Sequence, residues 1–309
     1  MTSRGVPCQP GVISNVSRAA LFLILRVTRP DEAKFVARVL STVPERTRRQ
    51  GRLVSQGKLE GTVGVGAPFW NLLGRTQRPA WLQDFPEIQG PQLSVPSTGG
   101  DLFLHIKSDR EDLNFELAQS LLRDMQGLVE ILEEVHGFNY LDSRDLTGFI
   151  DGTANPKGKE RAQVALIGKE DAAFADGSYV MTQRYVHDLE KWSMLSVREQ
   201  EAAIGRTKRD SRELKTAPPT AHIRRAEVSD DRGELKIVRQ SMPYGTLGGD
   251  HGLFFVAYAK EPRRFERMLT RLFGTAEDGL HDRLMEFTRA VSGAYFFIPS
   301  LKLLKSLGR

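Results

Sequence analysis

Cysteine is almost absent: Cys8 stands alone among 309 residues. One thiol excludes a disulfide within the chain and any cysteine-built zinc or iron–sulfur cage. It fits a reducing, cytoplasmic compartment. Long apolar runs are missing too. Ala19 to Leu25 is too short to cross a bilayer and lacks the charged lead-in and small-residue cleavage site of a secretory signal, so no membrane association is expected and the run reads as a buried strand. Nor does charge of one sign dominate. Forty-four basic residues oppose 39 acidic ones for a net charge of +5, mostly interspersed. The one basic run, Arg46 to Arg52, suits a solvated helix face, and without aromatic interleaving no nucleic-acid partner is expected. Asn15-Val16-Ser17 matches a glycosylation acceptor, which has no meaning for a chain that stays in the cytosol.

What is present is an ordinary globular composition, 40% hydrophobic and 27% charged, in a chain of 34.6 kDa that exceeds one hydrophobic core. Ala19 to Val27 is apolar enough for a strand covered on both faces. Asp31 can cap a helix carrying Phe35, Val36, Val39, Leu40 and Val43 on one stripe. A strand near Leu59 to Val65 follows, then a long irregular connection marked by Trp70, Pro79, Trp81 and Pro86. Asp101 to Lys107 alternates as a strand, a helix is expected from Asp112 to Val135, and a short strand near Phe138 to Leu141 closes the half. The second half repeats the order. Its strands are expected at Tyr179 to Val186, Glu234 to Gln240, Leu253 to Ala259 and Ala294 to Ile298. Its helices are expected from Ser196, where Glu199 completes a capping box, to Ile204, from Arg263 to a stop at Gly274, and near His281 to Ala290. The fold class is therefore α+β: two ferredoxin-like βαββαβ domains, antiparallel sheets with helices packed on one face, divided as 1–144 and 145–309. After the last strand, Lys302 to Arg309 carries no extended tail of the kind that addresses cargo to a protein compartment.

Three short segments could carry chemistry. Gly148-Phe149-Ile150-Asp151-Gly152-Thr153-Ala154-Asn155-Pro156 sets one acid between two glycines on a tight loop, a pattern that also suits an ordinary Asp-Gly hairpin. Pro218-Pro219-Thr220-Ala221 breaks a helix and presents His222 on an extended segment. Val238-Arg239-Gln240-Ser241 ends a strand with an arginine. Together Asp151, His222 and Arg239 form a usable set. A single imidazole can ligate haem iron and leave the opposite face open. There a carboxylate can shuttle the peroxide proton from one oxygen to the other, and a permanent cation can stabilise the charge on the departing oxygen.

These segments resemble a known family. GFIDGTANP is similar to the Gly-x-x-Asp-Gly loop of the dye-decolorising peroxidases, TAHIRR to their proximal-histidine segment and VRQSMPYG to their distal-arginine segment, and the likeness runs through residues 145 to 301. The resemblance implies a haem b enzyme with the cofactor mainly in the C-terminal domain, hydrogen peroxide and small aromatic electron donors as partners, and a homo-oligomer. By position it makes His222 the iron ligand, Asp151 the acid–base residue, Arg239 the distal cation, and Ser241 a peroxide or water contact where relatives often have Asn. Leu253 and Phe255 would wall the distal pocket, while Gly152, Thr153 and Asn155 would line the haem edge. Asp282 is the candidate carboxylate behind His222, with helix capping as its alternative, and Arg206 and His187 are candidates to meet the haem propionates. Trp192, Tyr185 and Tyr258 are candidate relays for bulky donors, or simply core.

The rival is a haem-binding or haem-handling protein with incidental peroxidase activity. A further alternative is a binding module without cofactor. Because carboxylic acids ionise at lower pH than imidazoles, a carboxylate base remains competent in mild acid. Turnover of a dye donor should therefore peak below neutrality in a pH–rate profile, and an optimum above neutrality would contradict Asp151 as the base.

Overall fold

The computed structural model describes residues 7–54, 57–231 and 233–309. Its N-terminal strands are β1 (Ala19–Val27), β2 (Glu60–Val65), β3 (Leu102–Ser108) and β4 (Val129–Phe138), with α1 (Ala33–Ser41) after β1 and α2 (Glu111–Asp124) after β3. The second half supplies β5 (Ser178–His187), α3 (Val197–Ile204), α4 (His222–Ala226), β6 (Val238–Arg239), β7 (Met242–Gly245), β8 (His251–Ala259), α5 (Arg263–Leu272), β9 (Thr288–Ala290), β10 (Ala294–Ile298) and α6 (Leu301–Leu307). Strands pair in the order β2-β3-β1-β4 in one half and β7-β8-β5-β10 in the other, all antiparallel. Both are ferredoxin-like orders, as the element sequence leads one to expect.

The two sheets meet at both edges, Tyr244 opposite Gly137 and Phe297 opposite Val65, so eight strands close into a ring, with β6 and β9 paired to β8 and β5 beside it. Gly137 makes one contact possible, since a Cβ there would come within 2.8 Å of the Met242 Cβ. Closure buries each sheet twice. In β1, Leu21, Leu23 and Leu25 face the helices, while Ala20, Phe22 and Ile24 face the interior between the sheets. Phe22 stacks there on Phe254 from the other half at a centroid distance of 4.5 Å. A polar seam runs through the same space. Lys107, 1% exposed, donates to the Gly11 and Asn15 carbonyls and to Gln240, and Gln240 donates to Gly11 and Val12. Burial pushes the Lys107 ammonium down to about 8, against the pull of Glu60.

Several expected elements differ. The helix expected to Val135 stops at Asp124 because Gly127 adopts a left-handed φ of +75°, and the chain then runs as β4 from Val129. Of the strand expected near Phe138 to Leu141 only Phe138 belongs to β4; the chain leaves the sheet there, and Leu141 turns at a φ of +34°. Instead of a helix near His281 to Ala290 there is a single 3₁₀ turn, Arg283–Glu286, followed by β9, because Thr288 to Ala290 pair with the edge of β5. Glu234 to Gln240 is broken into two-residue pieces, Gly233–Glu234 and Val238–Arg239, and β7 was not expected. Asp31 caps nothing: it pairs with Arg29, and Phe35 lies 40% exposed off the buried stripe. The irregular connection contains a short helix, Ala67–Leu72, that buries Trp70. The Ser196–Glu199 capping box forms as expected.

A shared interior has a measurable consequence. Phe22→Ala removes a ring with 0% exposure and should cost about 3–5 kcal/mol. Circular dichroism should show one lowered melting transition, whereas a two-step melt in which one phase stays put would contradict a common core.

Candidate active site

The acid loop is rigid before Asp151 is reached. The Arg144 guanidinium donates to the Gly148, Lys208 and Arg209 carbonyls, and the Asp151 N–H donates to Ser143. Gly148 and Gly152 flank the acid at φ +88° and +76°, values that favour glycine. Asp151 Oδ1 accepts the Gly152 N–H at 2.6 Å and lies 3.7 Å from Arg239 Nη2. Arg239 comes from β6, and its backbone is clamped to the same loop. Asn155 Nδ2 donates to the Arg239 carbonyl at 2.6 Å, and the Arg239 N–H donates to Asn155 Oδ1 at 2.8 Å. Between Arg239 and Ser241, Gln240 points into the barrel seam, as strand alternation requires. Ser241 Oγ accepts the Val256 N–H at 3.2 Å.

His222 is the first residue of α4 rather than part of an extended segment, because Ala221 and Pro218 close a turn that starts the helix immediately. Its Nδ1 lies 2.5 Å from Asp282 Oδ2, and Asp282 has 0% exposure. Asp282 Oδ1 accepts the Leu284 N–H at 2.8 Å, so the same carboxylate also caps the 3₁₀ turn. One carboxylate thus faces His222 with one oxygen and starts the 3₁₀ turn with the other.

One cavity, with about 1550 Å³ of atom-free space including the open solvent at its mouth, brings the expected residues together. Asp151, Gly152, Thr153, His187, Arg206, His222, Arg239, Ser241, Leu253 and Phe255 all line it. Asp282 and Asn155 do not: the first stands behind His222, and the second is spent on the Arg239 backbone. His187 has both ring nitrogens engaged, Nδ1 with Thr288 Oγ1 at 2.7 Å and Nε2 with Asp145 Oδ1 at 3.1 Å. Burial pushes the Asp145 carboxyl up, but the neighbouring His187 ring and the bonds from His187 and Thr147 outweigh this and leave it below its ordinary value. Arg206 spends Nη1 on the Ser211 carbonyl. Among the aromatic candidates Tyr185 lines the cavity, Trp192 is buried with its indole N–H on the Thr147 carbonyl, and Tyr258 lies in the barrel interior on His105. Sequence reasoning missed Asp145 and the apolar wall from α5, Met268, Leu269 and Leu272. The helical spacing of these three marks a buried stripe but not a cavity.

Comparison with known proteins gives the family. Residues 9–139 match the Dyp-type peroxidase N-terminal family and residues 142–303 the Dyp-type peroxidase C-terminal family. A dye-decolorizing peroxidase of Mycolicibacterium paratuberculosis is 42% identical over 303 residues, covering 96% of this chain and 85% of that protein. A variant of DypB from Rhodococcus jostii, solved in complex with heme, is 41% identical, covers 96% of this chain and 98% of its own, and superposes with a TM-score of 0.93. The encapsulated DyP-type peroxidase of Mycobacterium smegmatis, 38% identical with coverage of 97% and 98%, gives 0.93 as well. The chain belongs to the Dyp-type peroxidase family.

The Asn155 clamp yields a test. Asn155→Ala leaves the Arg239 N–H and carbonyl without their partners and should cost about 1–3 kcal/mol. Thermal unfolding that matches the parent within ~0.5 °C would contradict the clamp, since at about 2.1 cal/mol/K of unfolding entropy per residue ~1 kcal/mol should move a chain of 309 residues by about 1.5 °C.

Proposed function

We propose that this chain is a haem b peroxidase that reduces hydrogen peroxide and then oxidises dyes, phenols and similar aromatic donors in one-electron steps. The observation that carries the reading is that His222, Asp151 and Arg239, from separate elements, line one cavity. The donor set suits the cofactor. Asp282 occupies His222 Nδ1, so Nε2 is the ring nitrogen without a protein partner among the described residues, the state in which a histidine ligates a metal. Leu253, Phe255 and Met268 offer apolar wall for a porphyrin, and Arg206 retains guanidinium nitrogens for a propionate. His187, with both nitrogens engaged, would meet a propionate only by giving up Thr288 or Asp145. Thr153 and Gly152 would line the haem edge. Residues 145–309 form the haem domain and 1–144 its partner, a division supported by the cavity lining, which runs from Asp145 to Thr288.

Haem b, when bound, supplies an iron centre that accepts two oxidising equivalents from peroxide. The protein supplies the proton path. Asp151 Oδ1 is held by the Gly152 N–H and faces Arg239, which leaves Oδ2 as the oxygen without a partner among the described residues. Oδ2 takes the proton from one peroxide oxygen and returns it to the other, so that water leaves. Arg239 stabilises the charge on the departing oxygen without itself losing a proton. The Ser241 hydroxyl accepts from Val256, so its own hydrogen is free to orient peroxide or a water. We place the protein in the cytoplasm as a homo-oligomer. No helix among the described residues is long and apolar enough to cross a membrane.

Haem-loaded protein mixed with peroxide in a stopped-flow spectrometer tests the reading. His222→Ala should lose haem on gel filtration. Asp151→Ala and Arg239→Leu should keep haem while at least one of them slows the peroxide-driven spectral change by roughly 10²–10⁴-fold. Haem that only bleaches, or does not respond to peroxide, would favour haem handling instead.

A further inference from the structure

Resting on the reading of His222 as the iron ligand, we infer that Arg225 is the positioning residue that sets the His222–Asp282 hydrogen bond, and through it the electron richness of the ligating ring. The two partners come from different segments, α4 and the turn after α5, so their separation is fixed by whatever joins those segments. Arg225 joins them. It lies three residues after His222 in α4, 1% exposed, and all of its nitrogens have a partner. Nη1 and Nη2 grip both Asp278 oxygens at 2.6 and 3.0 Å, and Nη2 also donates to the Leu280 carbonyl at 2.5 Å. These two acceptors are four and two residues before Asp282.

The remaining donor completes the frame. Arg225 Nε donates to the Arg271 carbonyl at 2.9 Å, and the Asp282 N–H donates to the next carbonyl, Leu272, at 2.9 Å. Arg271 and Leu272 close α5, and the last carbonyls of a helix have no partner within it. Two adjacent orphan acceptors therefore receive the histidine segment and the aspartate segment side by side. A guanidinium is suited to that end of the helix dipole and to bidentate capture of a carboxylate. The Asp278 carboxyl, chiefly through its Arg225 hydrogen bond, is held down at about 2. A short bond from a buried carboxylate makes an imidazole more electron-rich and favours ferric over ferrous iron. Lengthening it should raise the midpoint potential.

The test uses haem-loaded protein, with the ferric/ferrous midpoint potential measured by spectroelectrochemistry and the iron–imidazole stretch of the ferrous form by resonance Raman. Asp282→Asn serves as the direct reference and should shift the potential positive and the stretch to lower frequency. Arg225→Met and Asp278→Ala should move both readouts in the same directions by a smaller amount. Asp278 is 46% exposed, so its variant is expected to fold even if Arg225→Met does not. If Asp282→Asn shifts the potential while Asp278→Ala leaves it at the parent value, the inference is overturned and the assignment of His222 stands. If Asp282→Asn itself changes nothing, the ligand reading fails and the inference with it.

Discussion

Period-two alternation in a sheet buried on both sides is the constraint from which the rest of the molecule follows. In the second half, Val180, Phe254, Val256 and Tyr258 pack into the space between the sheets, and the residues between them, Met181, Gln183, Tyr185, Leu253 and Phe255, turn the other way into the cavity. The interior face cannot shift without opening the barrel, so the cavity face is fixed as well. The same rule divides one tripeptide between two tasks. Gln240 is tied to Lys107 and the Gly11–Val12 carbonyls inside, while Arg239 and Ser241 present their side chains on the other side. Rigidity bought by packing on one face is what allows polar groups on the other to hold a fixed geometry.

The two sides of the cavity are held by different means. The acid side depends on backbone capture: Arg144 ties the loop to the 208–209 segment, and Asn155 ties it to β6. Those bonds set the 3.7 Å spacing of Asp151 and Arg239, which is wider than a direct hydrogen bond. The histidine side depends on a buried carboxyl group. Asp282 has 0% exposure and is satisfied by His222 and by the Leu284 N–H, so it can remain in the interior without an uncompensated polar atom.

Much of this was legible from residues alone, for identifiable reasons. Strands β1 and β10 are nearly all apolar, β8 is so from Leu253 on, and β3 alternates at period two, so they stand out from any helix. The Asp151 loop reads from its glycines, and the Ser196–Glu199 box from its spacing. What stayed hidden depends on partners distant in the chain. β4 keeps Glu130, Glu133 and Glu134 among its apolar residues and so extends the helical period of α2, and only Gly127 marks the break. β9 exists because β5 has an open edge to pair with. Asn155 looks like a lining residue until its partner 84 positions away is known, and Arg225, 1% exposed, is written in the same letter as the other basic residues. Loop glycines, a helix break and a strand end single out Asp151, His222 and Arg239, and the family resemblance gives them roles, but neither shows how the groups behind them are fastened.

The most direct test of the account is a structure of the haem-loaded protein. It predicts the iron bonded to His222 Nε2, with Asp151 and Arg239 together on the opposite face of the porphyrin. Iron ligated by another side chain, or Asp151 and Arg239 lying on the same side as His222, would contradict it.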